Sequence, residues 1–317
     1  MTSCKVLNEL VNCIFPTKPL RVERVTEGVS THVYRIVFQR ETFYLRVLPE
    51  EGASFAPEVA VHTRLRQLQV KVPEVIYFDH YYEPLQRSVM VTTEIKGIPI
   101  SESSELSQNE LAAIAGEAGR DLARINSVKV EGFGWVKRDL PDTDIEHIRA
   151  EWATDRAFML AYWKFDLAYL GKHVLHASEV VALERICAYY DFLLDDEQGY
   201  LAHGDFDTTH IFQANGRYTG IIDFGEIRGA NRCYNLGHFH IRDGEYISYS
   251  HWLDVIRGYS EVALLLPHYE QAIRFAGILI NVRALVRNLQ KRSPDHYTRH
   301  QLKLLKEDMA ELLIGIL

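Results

Sequence analysis

The chain of 317 residues is long enough to bury a sizeable core, and this length is typical of one large domain or of two lobes. Hydrophobic residues make up 47% of it and charged residues 25%, and no apolar run approaches the roughly eighteen residues of a membrane span, which argues against a membrane protein. The formal net charge of −8 disfavours general nucleic-acid binding and mildly favours a cationic small-molecule partner.

The four cysteines are scattered along the chain without CxxC spacing or nearby paired histidines. This pattern argues against a disulfide framework and against a zinc site. The first fifteen residues lack a basic region followed by a long apolar core and a cleavage site of small residues. We therefore expect a cytoplasmic protein.

The N-terminal part of the chain is rich in predicted strands. Apolar residues at helical spacing predict a leading helix from Val6 to Phe15, ended by Pro16. Three β-rich runs then predict an antiparallel meander: Arg21 to Glu27, His32 to Gln39 and Thr42 to Leu48. Two further strands are predicted at Val72 to Ile76 and at Ser88 to Thr93.

Beyond residue 96 the predicted elements are mostly helices. Ser107 and Glu110 form a capping-box pattern before an apolar helix from Leu111 to Ile125. An aromatic stretch from Trp152 to Tyr169 is interpreted as helical core. The remaining predicted helices are Val180 to Leu194, Trp252 to Tyr259, Tyr269 to Gln290 and Tyr297 to Leu317.

The stretch from Tyr200 to Gly225 carries the chemistry. Asn215-Gly216 supplies the positive φ values of a tight hairpin turn between the runs Ile211 to Gln213 and Tyr218 to Ile222. Asp205 precedes the first run and Asp223 follows the second, so the hairpin is expected to bring both carboxylates to one edge. Phosphoryl transfer needs such a pair, because one carboxylate accepts the proton of the attacking hydroxyl and another holds Mg²⁺.

The motifs His203-Gly204-Asp205 and Ile222-Asp223-Phe224-Gly225 resemble those of the aminoglycoside phosphotransferase family, and the hygromycin B phosphotransferases in particular. His210 lies five residues after Asp205 and thirteen before Asp223, the separations of protein-kinase-like enzymes. The resemblance implies an α+β, protein-kinase-like fold of two lobes. Residues 1–95 would form a β-rich nucleotide-binding lobe, and residues 96–317 a mostly helical catalytic and substrate-binding lobe.

The same resemblance implies nucleotide contacts for ATP or GTP. Ser30 and Thr31 lie in the position of a loop that covers the nucleotide, although the glycine of this loop is explained equally well by a hairpin turn. Arg46 takes the place of the kinase lysine that grips phosphates, with Glu58 as its expected partner. The alternative for Glu58 is a solvated acid in the first turn of a helix.

The resemblance also places the hinge between the lobes at Thr93 to Gly97. Backbone groups of Glu94 and Ile95 are expected to meet the adenine there. An ordinary strand followed by a glycine turn explains the same residues.

In the catalytic stretch, the resemblance implies that Asp205 is the general base and Asp223 the main Mg²⁺ ligand. His210 stands where the family commonly has Asn, and imidazole is a poor magnesium ligand, so we assign it a secondary or water-mediated role. His203 is interpreted as a packing residue of the loop. Asn235 stands where the family usually has an Asp that supports the catalytic loop.

A cation pocket is predicted from acids near the transfer site, with further acids in the segment from Asp139 to Glu146. We expect Asp207, Glu226, Asp243 and Glu245 to bind the ammonium groups of the acceptor, although each acid is alternatively an ordinary solvated residue. The C-terminal helices are expected to wall this pocket. The protein is predicted to be a monomer that phosphorylates a hydroxyl of a small cationic molecule, most readily an aminoglycoside. The alternatives are a choline or homoserine-like metabolite kinase and a catalytically silent nucleotide-binding protein.

Overall fold

The computed structural model describes residues 4–26, 31–139, 148–247, 249–265 and 267–316. Its N-terminal part consists of α1 (Cys4–Ile14), β1 (Arg21–Val25), β2 (His32–Val37), β3 (Thr42–Val47), α2 (Ala56–Gln67), β4 (Val75–Tyr82) and β5 (Arg87–Thr93). The strands form one five-stranded sheet in the order β1-β2-β3-β5-β4.

This sheet confirms the predicted meander, because β1, β2 and β3 pair antiparallel in sequence order. Ile36 on β2 is fully buried and packs with Leu7 and Val11 of α1, so the leading helix covers one face of the sheet. Strand β5 is interior and runs between β3 and β4. Strand β4 starts only at Val75, later than predicted, because Pro73 has no amide hydrogen to donate to a ladder.

The rest of the chain begins with β6 (Ile98–Pro99), a 3₁₀ turn (Ile100–Glu102), α3 (Gln108–Ile125), β7 (Lys129–Val130), β8 (Phe133–Val136), β9 (Ala150–Trp152), α4 (Asp155–Met159), α5 (Trp163–His173) and α6 (Ala177–Tyr190). It continues with a 3₁₀ turn (Asp191–Leu194), β10 (Gly199–Ala202), β11 (Ile211–Ala214), β12 (Arg217–Ile221), a 3₁₀ turn (Phe224–Glu226), β13 (Arg228–Ala230), α7 (Tyr234–Arg242), α8 (Trp252–Ser260), α9 (Tyr269–Lys291) and α10 (His296–Ile314).

Two small sheets hold the catalytic stretch. One has the order β12-β11-β6 and contains the predicted hairpin, in which Asn215 and Gly216 adopt φ values of 54° and 73°. The other has the order β7-β10-β13-β8-β9, so β10 reaches the catalytic loop from a different sheet than β11. The loop between β10 and β11 thus bridges two sheets, which restricts its position at both ends.

The helices pack around these sheets. The predicted capping box at the start of α3 is present, with Ser107 and Glu110 each satisfying the other's backbone amide. Helix α3 packs against α8, and α9 packs against α7, α5 and α10. No helix in the described ranges combines the length and the apolar character that crossing a bilayer requires.

Candidate active site

The hairpin brings the two predicted catalytic carboxylates to one place. Oδ2 of Asp205 lies 4.0 Å from Nε2 of His210, and Oδ2 of Asp223 lies 3.8 Å from the same nitrogen. The amide of Ile222 donates to the carbonyl of His210 at 3.1 Å, which fixes the two ends of the hairpin side by side. Asp205 and Asp223, eighteen positions apart in sequence, therefore face one another across a single imidazole ring.

His210 is held between carboxylates on three sides. Its Nδ1 lies 2.7 Å from the carbonyl oxygen of Asp205 and 3.4 Å from Oδ1 of Asp207. Burial alone would lower the pKa of His210, but Asp207, Asp205 and Asp223 outweigh it and raise the pKa to about 9. Without a bound cation, these carboxylates therefore favour the protonated ring, whose positive charge compensates theirs.

The loop before Asp205 is built on His203 and Gly204. His203 is completely buried, donates from Nε2 to the carbonyl of Ile222 at 2.8 Å and accepts the amide of Asp205 at Nδ1 at 3.3 Å. Burial lowers the pKa of His203 to about 4, so the ring is neutral and acts in packing, as predicted. Gly204 has φ +88°, and a Cβ there would meet the carbonyl oxygen of Glu226 at 1.9 Å, so only glycine fits.

Asn235 anchors this loop from α7. Its Oδ1 accepts the amide of Gly204 at 3.2 Å, and its Nδ2 donates to Oδ1 of Asn126 at 2.9 Å. Asn126 in turn donates to the hydroxyl of Tyr259 at 3.2 Å and to the carbonyl of Arg232 at 3.1 Å. The asparagine thus supports the loop through hydrogen bonds that need no charge.

His238 was not found by sequence reasoning. It lies on α7 with Nε2 at 3.4 Å from Oδ1 of Asp205 and Nδ1 at 3.2 Å from the carbonyl of Phe206. It stands thirty-three residues after Asp205, outside any motif, and only its place one helical turn beyond Asn235 links it to the loop. Burial lowers the pKa of His238.

Arg46 and Glu58 form the predicted pair. Glu58 is only 1% exposed and binds Nη1 of Arg46, so it is not a solvated first-turn acid. Arg138 approaches the other oxygen of Glu58 at 3.9 Å and donates to the carbonyl of Gly225 at 2.7 Å. Desolvation by the surrounding residues would raise the pKa of Asp223, but the positive charges of Arg46 and His210 lower it, so Arg46 lies within electrostatic reach of this carboxylate.

Three of the four remaining predicted nucleotide residues lie within the described ranges. Ser30 falls outside the described residues, and Thr31 is buried just before β2. Glu94 follows β5; its amide donates to the carbonyl of Thr42 at 3.2 Å, and its carboxylate lies 3.5 Å from Arg35. No described residue makes a hydrogen bond to the backbone of Ile95.

Three of the four acids predicted to bind an acceptor are occupied elsewhere. Asp207 accepts from Nε of Arg242 at 3.1 Å and from the amide of Thr209 at 2.7 Å. Glu245 lies 3.0 Å from Nη1 of Arg242. Asp243 accepts the amides of His251 and Trp252 before and at the start of α8, so it works as a helix cap.

Burial would raise the pKa of Asp207, but His210 and Arg242 hold it well below its usual range. Asp207 is therefore an ionised structural acid. The predicted cation pocket of four acids does not form, because Arg242 and the α8 cap bind three of them. Further acids were expected from residues 139–146, of which only Asp139 lies within the described ranges, as an exposed residue.

Glu226 is the one of these four acids that reaches a cavity beside Asp205. The cavity has a volume of about 680 Å³ and is lined from one side by Gly204, Asp205, Glu226 and His238. Its aromatic wall includes Trp135, Trp152, Tyr162 and Trp163. The aromatic stretch from Trp152 to Tyr169, which was interpreted as helical core, therefore contributes several side chains to the wall of this cavity.

The donor atoms around His210 fit a magnesium ion. Among the described residues, ligand atoms of Asp205, Asp207 and His210 lie within 4.8 Å of one another. Both oxygens of Asp207 already accept hydrogen bonds, whereas Oδ2 of Asp223 faces His210 and the Asp223 side chain is 48% exposed. Carboxylate oxygens are the ligands that Mg²⁺ prefers, so Asp223 suits direct binding and His210 suits binding through water.

Comparison with known proteins supports the architecture. The model of the family described as "Phosphotransferase enzyme family" matches residues 21–265. A search of the curated proteins finds no match. Solved structures that resemble the whole chain include a thermostable mutant of the aminoglycoside phosphotransferase APH(4)-Ia in complex with ADP and hygromycin B, with a TM-score of 0.68, 16% identity and coverage of 98% of both chains.

Two further structures have similar scores. One is a GDP complex of an aminoglycoside 2′-phosphotransferase IIIa mutant, with a TM-score of 0.66, 17% identity and coverage of 98% of each chain. The other is a protein assigned as a fructosamine-3-kinase from Thermobifida fusca, with a TM-score of 0.61, 17% identity and coverage of 98% of this chain and 99% of that one. At these identities the likeness shows the kinase-like fold.

Proposed function

The chain belongs to the phosphotransferase enzyme family, and we propose that it transfers the γ-phosphoryl group of ATP or GTP to a hydroxyl group of a small molecule. One observation carries this proposal: the carboxylates of Asp205 and Asp223 both lie within 4.0 Å of Nε2 of His210, at the mouth of a cavity lined by Asp205. Phosphoryl transfer requires a base for the acceptor beside a ligand for a cation, and two neighbouring carboxylates support this assignment.

Asp205 is the proposed general base. The acceptor hydroxyl binds in the cavity and Asp205 takes its proton. The hydroxyl oxygen of the acceptor forms a bond to the γ-phosphorus while the bond from this phosphorus to the β–γ bridging oxygen of the nucleotide breaks. The nucleoside diphosphate leaves on the side of Asp223. The ring of His238 packs beside the Asp205 carboxylate on the cavity side and restricts its position.

Asp223 is the proposed ligand of Mg²⁺, with His210 as its outer partner. Bound there, the ion would neutralise charge on the phosphates. Arg46, oriented by Glu58, is the proposed phosphate contact of the nucleotide. Ser30, Thr31 and the backbone of Glu94 and Ile95 complete the proposed nucleotide site.

Two acceptor classes were predicted from the sequence, aminoglycosides and metabolites. The solved relatives with hygromycin B and with kanamycin favour an aminoglycoside by fold alone. The structure gives less support to it, since Asp207, Asp243 and Glu245 are bound to protein groups and Glu226, the one of the four that lines the cavity, pairs with Arg228. We therefore propose metabolites as acceptors alongside aminoglycosides.

A silent nucleotide-binding protein was the third alternative, suggested by Arg46, His210 and Asn235. Each of these residues makes the contact that its position requires: Arg46 binds Glu58, His210 faces Asp205 and Asp223, and Asn235 accepts the Gly204 amide. These contacts favour the enzyme.

The test of the proposed function is the variant Asp223→Asn. Asparagine keeps the size of the side chain and tolerates the left-handed backbone of residue 223, which has φ 65°, but it removes the charge. We expect Mg²⁺-dependent nucleotide affinity, measured by calorimetry with a non-hydrolysable ATP analogue, to fall at least tenfold.

The control is Glu311→Gln, which removes one negative charge from an exposed position of α10. It should bind nucleotide like the unmodified protein. If a folded Asp223→Asn protein keeps full Mg²⁺-dependent affinity, Asp223 does not hold the metal and the proposed function is lost.

A further inference from the structure

One wall of the cavity is cationic. Helix α9 presents Arg283, Arg287 and Lys291 to the cavity, each four residues after the one before. Residues at this spacing lie on one face of a helix, about 6 Å apart along its axis. The three positive charges therefore form a row along the side of the cavity.

Two of the cations that line the cavity are neutralised by lining acids. Nη1 of Arg283 lies 2.8 Å from Asp166, and its guanidinium stacks over the ring of Tyr162 at 3.9 Å. Nη2 of Arg228 lies 2.8 Å from Glu226. These pairs bind Asp166 and Glu226, so neither carboxylate is free to receive an ammonium group.

Arg287 and Lys291 differ, since neither forms an ion pair or a side-chain hydrogen bond with any residue in the described ranges. The lining acids that remain are Asp205, which the proposed reaction uses for the hydroxyl proton, and Glu151 on β9. Burial raises the pKa of Glu226 against the opposing charges of Arg228 and, more weakly, Arg287. Arg287, Glu226 and Asp205 all line the same cavity.

From this arrangement we propose that the acceptor carries an anionic group, a carboxylate or a phosphate, which Arg287 and Lys291 bind while its hydroxyl faces Asp205. The proposal rests on the proposed function and names the acceptor class for it. Arginine binds both kinds of oxyanion through two parallel N–H donors, and lysine adds a point charge. A polycationic acceptor would instead bring its ammonium groups against two cations that lack a described partner.

The charge of this wall can be tested without knowing the acceptor. Three of the four tryptophans, Trp135, Trp152 and Trp163, line the cavity, and Trp252 lies outside it. A local positive potential concentrates anions and repels cations. We therefore expect iodide to quench the tryptophan fluorescence more strongly than caesium, and we expect this preference to fall at least twofold in the variant Arg287→Gln/Lys291→Gln.

The control for charge is Lys303→Gln, because Lys303 is an exposed cation of α10 outside the cavity lining. It should keep the iodide preference of the unmodified protein. Equal quenching by both ions, or a preference that the double variant leaves unchanged, overturns the proposal even if the protein is an active phosphotransferase.

The acceptor class is tested by nucleotide consumption and product mass with a broad panel of hydroxylated compounds in matched charge series. One such series is glucuronate, glucose 6-phosphate, glucose and glucosamine, which separates a carboxylate from a phosphate and both from neutral and cationic analogues. We expect the phosphorylated compounds to include carboxylates or phosphates. For them, Arg287→Gln should raise the KM roughly tenfold while kcat and the KM of the nucleotide change less than twofold.

If neutral or cationic compounds are phosphorylated and no anionic one is, this proposal fails and the proposed function stands. An unchanged KM in Arg287→Gln also overturns it. Failure of the proposed function itself shows separately, as Mg²⁺-dependent nucleotide binding that Asp223→Asn does not alter.

Discussion

At the scale of single residues, Asp205 carries the most specific expectation. The variant Asp205→Asn keeps the shape of the side chain but cannot accept the hydroxyl proton. We expect nucleotide affinity to stay within about twofold and single-turnover phosphoryl transfer to fall by about 10² to 10⁴. Rapid-quench kinetics with an acceptor that the unmodified protein phosphorylates measures this rate. A near-normal single-turnover rate would mean that another group is the base.

His238 supports the Asp205 carboxylate from α7, at 3.4 Å. In the variant His238→Ala we expect kcat to fall about tenfold, because the carboxylate loses a partner that orients it, with little change in the KM of the nucleotide. His238→Gln, which restores a side chain that can hydrogen-bond, should recover part of the loss. A uniform loss of activity in both variants, accompanied by a lower melting temperature, would indicate a structural role only.

At the scale of elements, Asn235 joins α7 to the catalytic loop and to the end of α3. It is fully buried, and the variant Asn235→Ala leaves the amide of Gly204 and Oδ1 of Asn126 without their hydrogen-bond partners. Each unsatisfied buried group costs about 1 to 3 kcal/mol, so we expect the free energy of unfolding to fall by about 3 kcal/mol. Urea denaturation measures this change.

The matched comparison is Ser107→Ala at the capping box of α3, which should cost only about 1 kcal/mol. The family's commoner residue, in the variant Asn235→Asp, should also destabilise this chain. An aspartate would face Oδ1 of Asn126, whose Nδ2 is already engaged with Tyr259 and Arg232. If Asn235→Asp were as stable as the unmodified protein, the network would have to rearrange more easily than this structure indicates.

At the scale of the whole molecule, two buried histidines tie the parts of the active site together. His62 on α2 and His203 before Asp205 both pack edge-on against Phe224, with ring centroids at 5.0 Å and 4.7 Å. Nδ1 of His62 is 2.9 Å from the carbonyl of Pro73. Burial lowers the pKa of both rings to about 4, so both are neutral in the folded protein.

This burial makes stability depend on pH. The unfolded chain binds protons at these histidines near pH 6.5, whereas the folded protein resists them until about pH 4. The contribution of these two histidines to stability is therefore complete above pH 6.5 and is lost as the pH drops towards 4, by about 1.4 kcal/mol per pH unit for each histidine.

In the variant His62→Gln, the amide can still donate to the carbonyl of Pro73. Between pH 7 and pH 5 we expect the free energy of unfolding of this variant to fall by about 2 kcal/mol less than that of the unmodified protein. Urea denaturation at the two pH values measures the difference. His296→Gln, at an exposed position, should show the pH dependence of the unmodified protein. Identical pH dependence in His62→Gln would show that His62 titrates normally in the folded protein.

Much of the fold was predictable from local signals. The meander, the hairpin at Asn215-Gly216 and the capping box at Ser107 depend on residues close in sequence, and all three are present. The approach of Asp205 to Asp223 follows from the hairpin for the same reason. The two-lobed class was predictable through the motifs that flank these carboxylates, and the matching family model supports it.

The sequence by itself therefore determined the fold class, through the motifs that contain Asp205 and Asp223. It also determined that these two carboxylates meet, because short-range turn chemistry and strand alternation decide where a hairpin begins and ends. Only the tertiary structure decided which charged side chains pair with one another and which of them line the cavity beside Asp205. Asp207 binds Arg242 across 35 residues, Arg283 binds Asp166 across 117, and Arg287 and Lys291 keep no described partner. A charge acts on a ligand only when no protein group has neutralised it, and these partners meet only after the chain has folded.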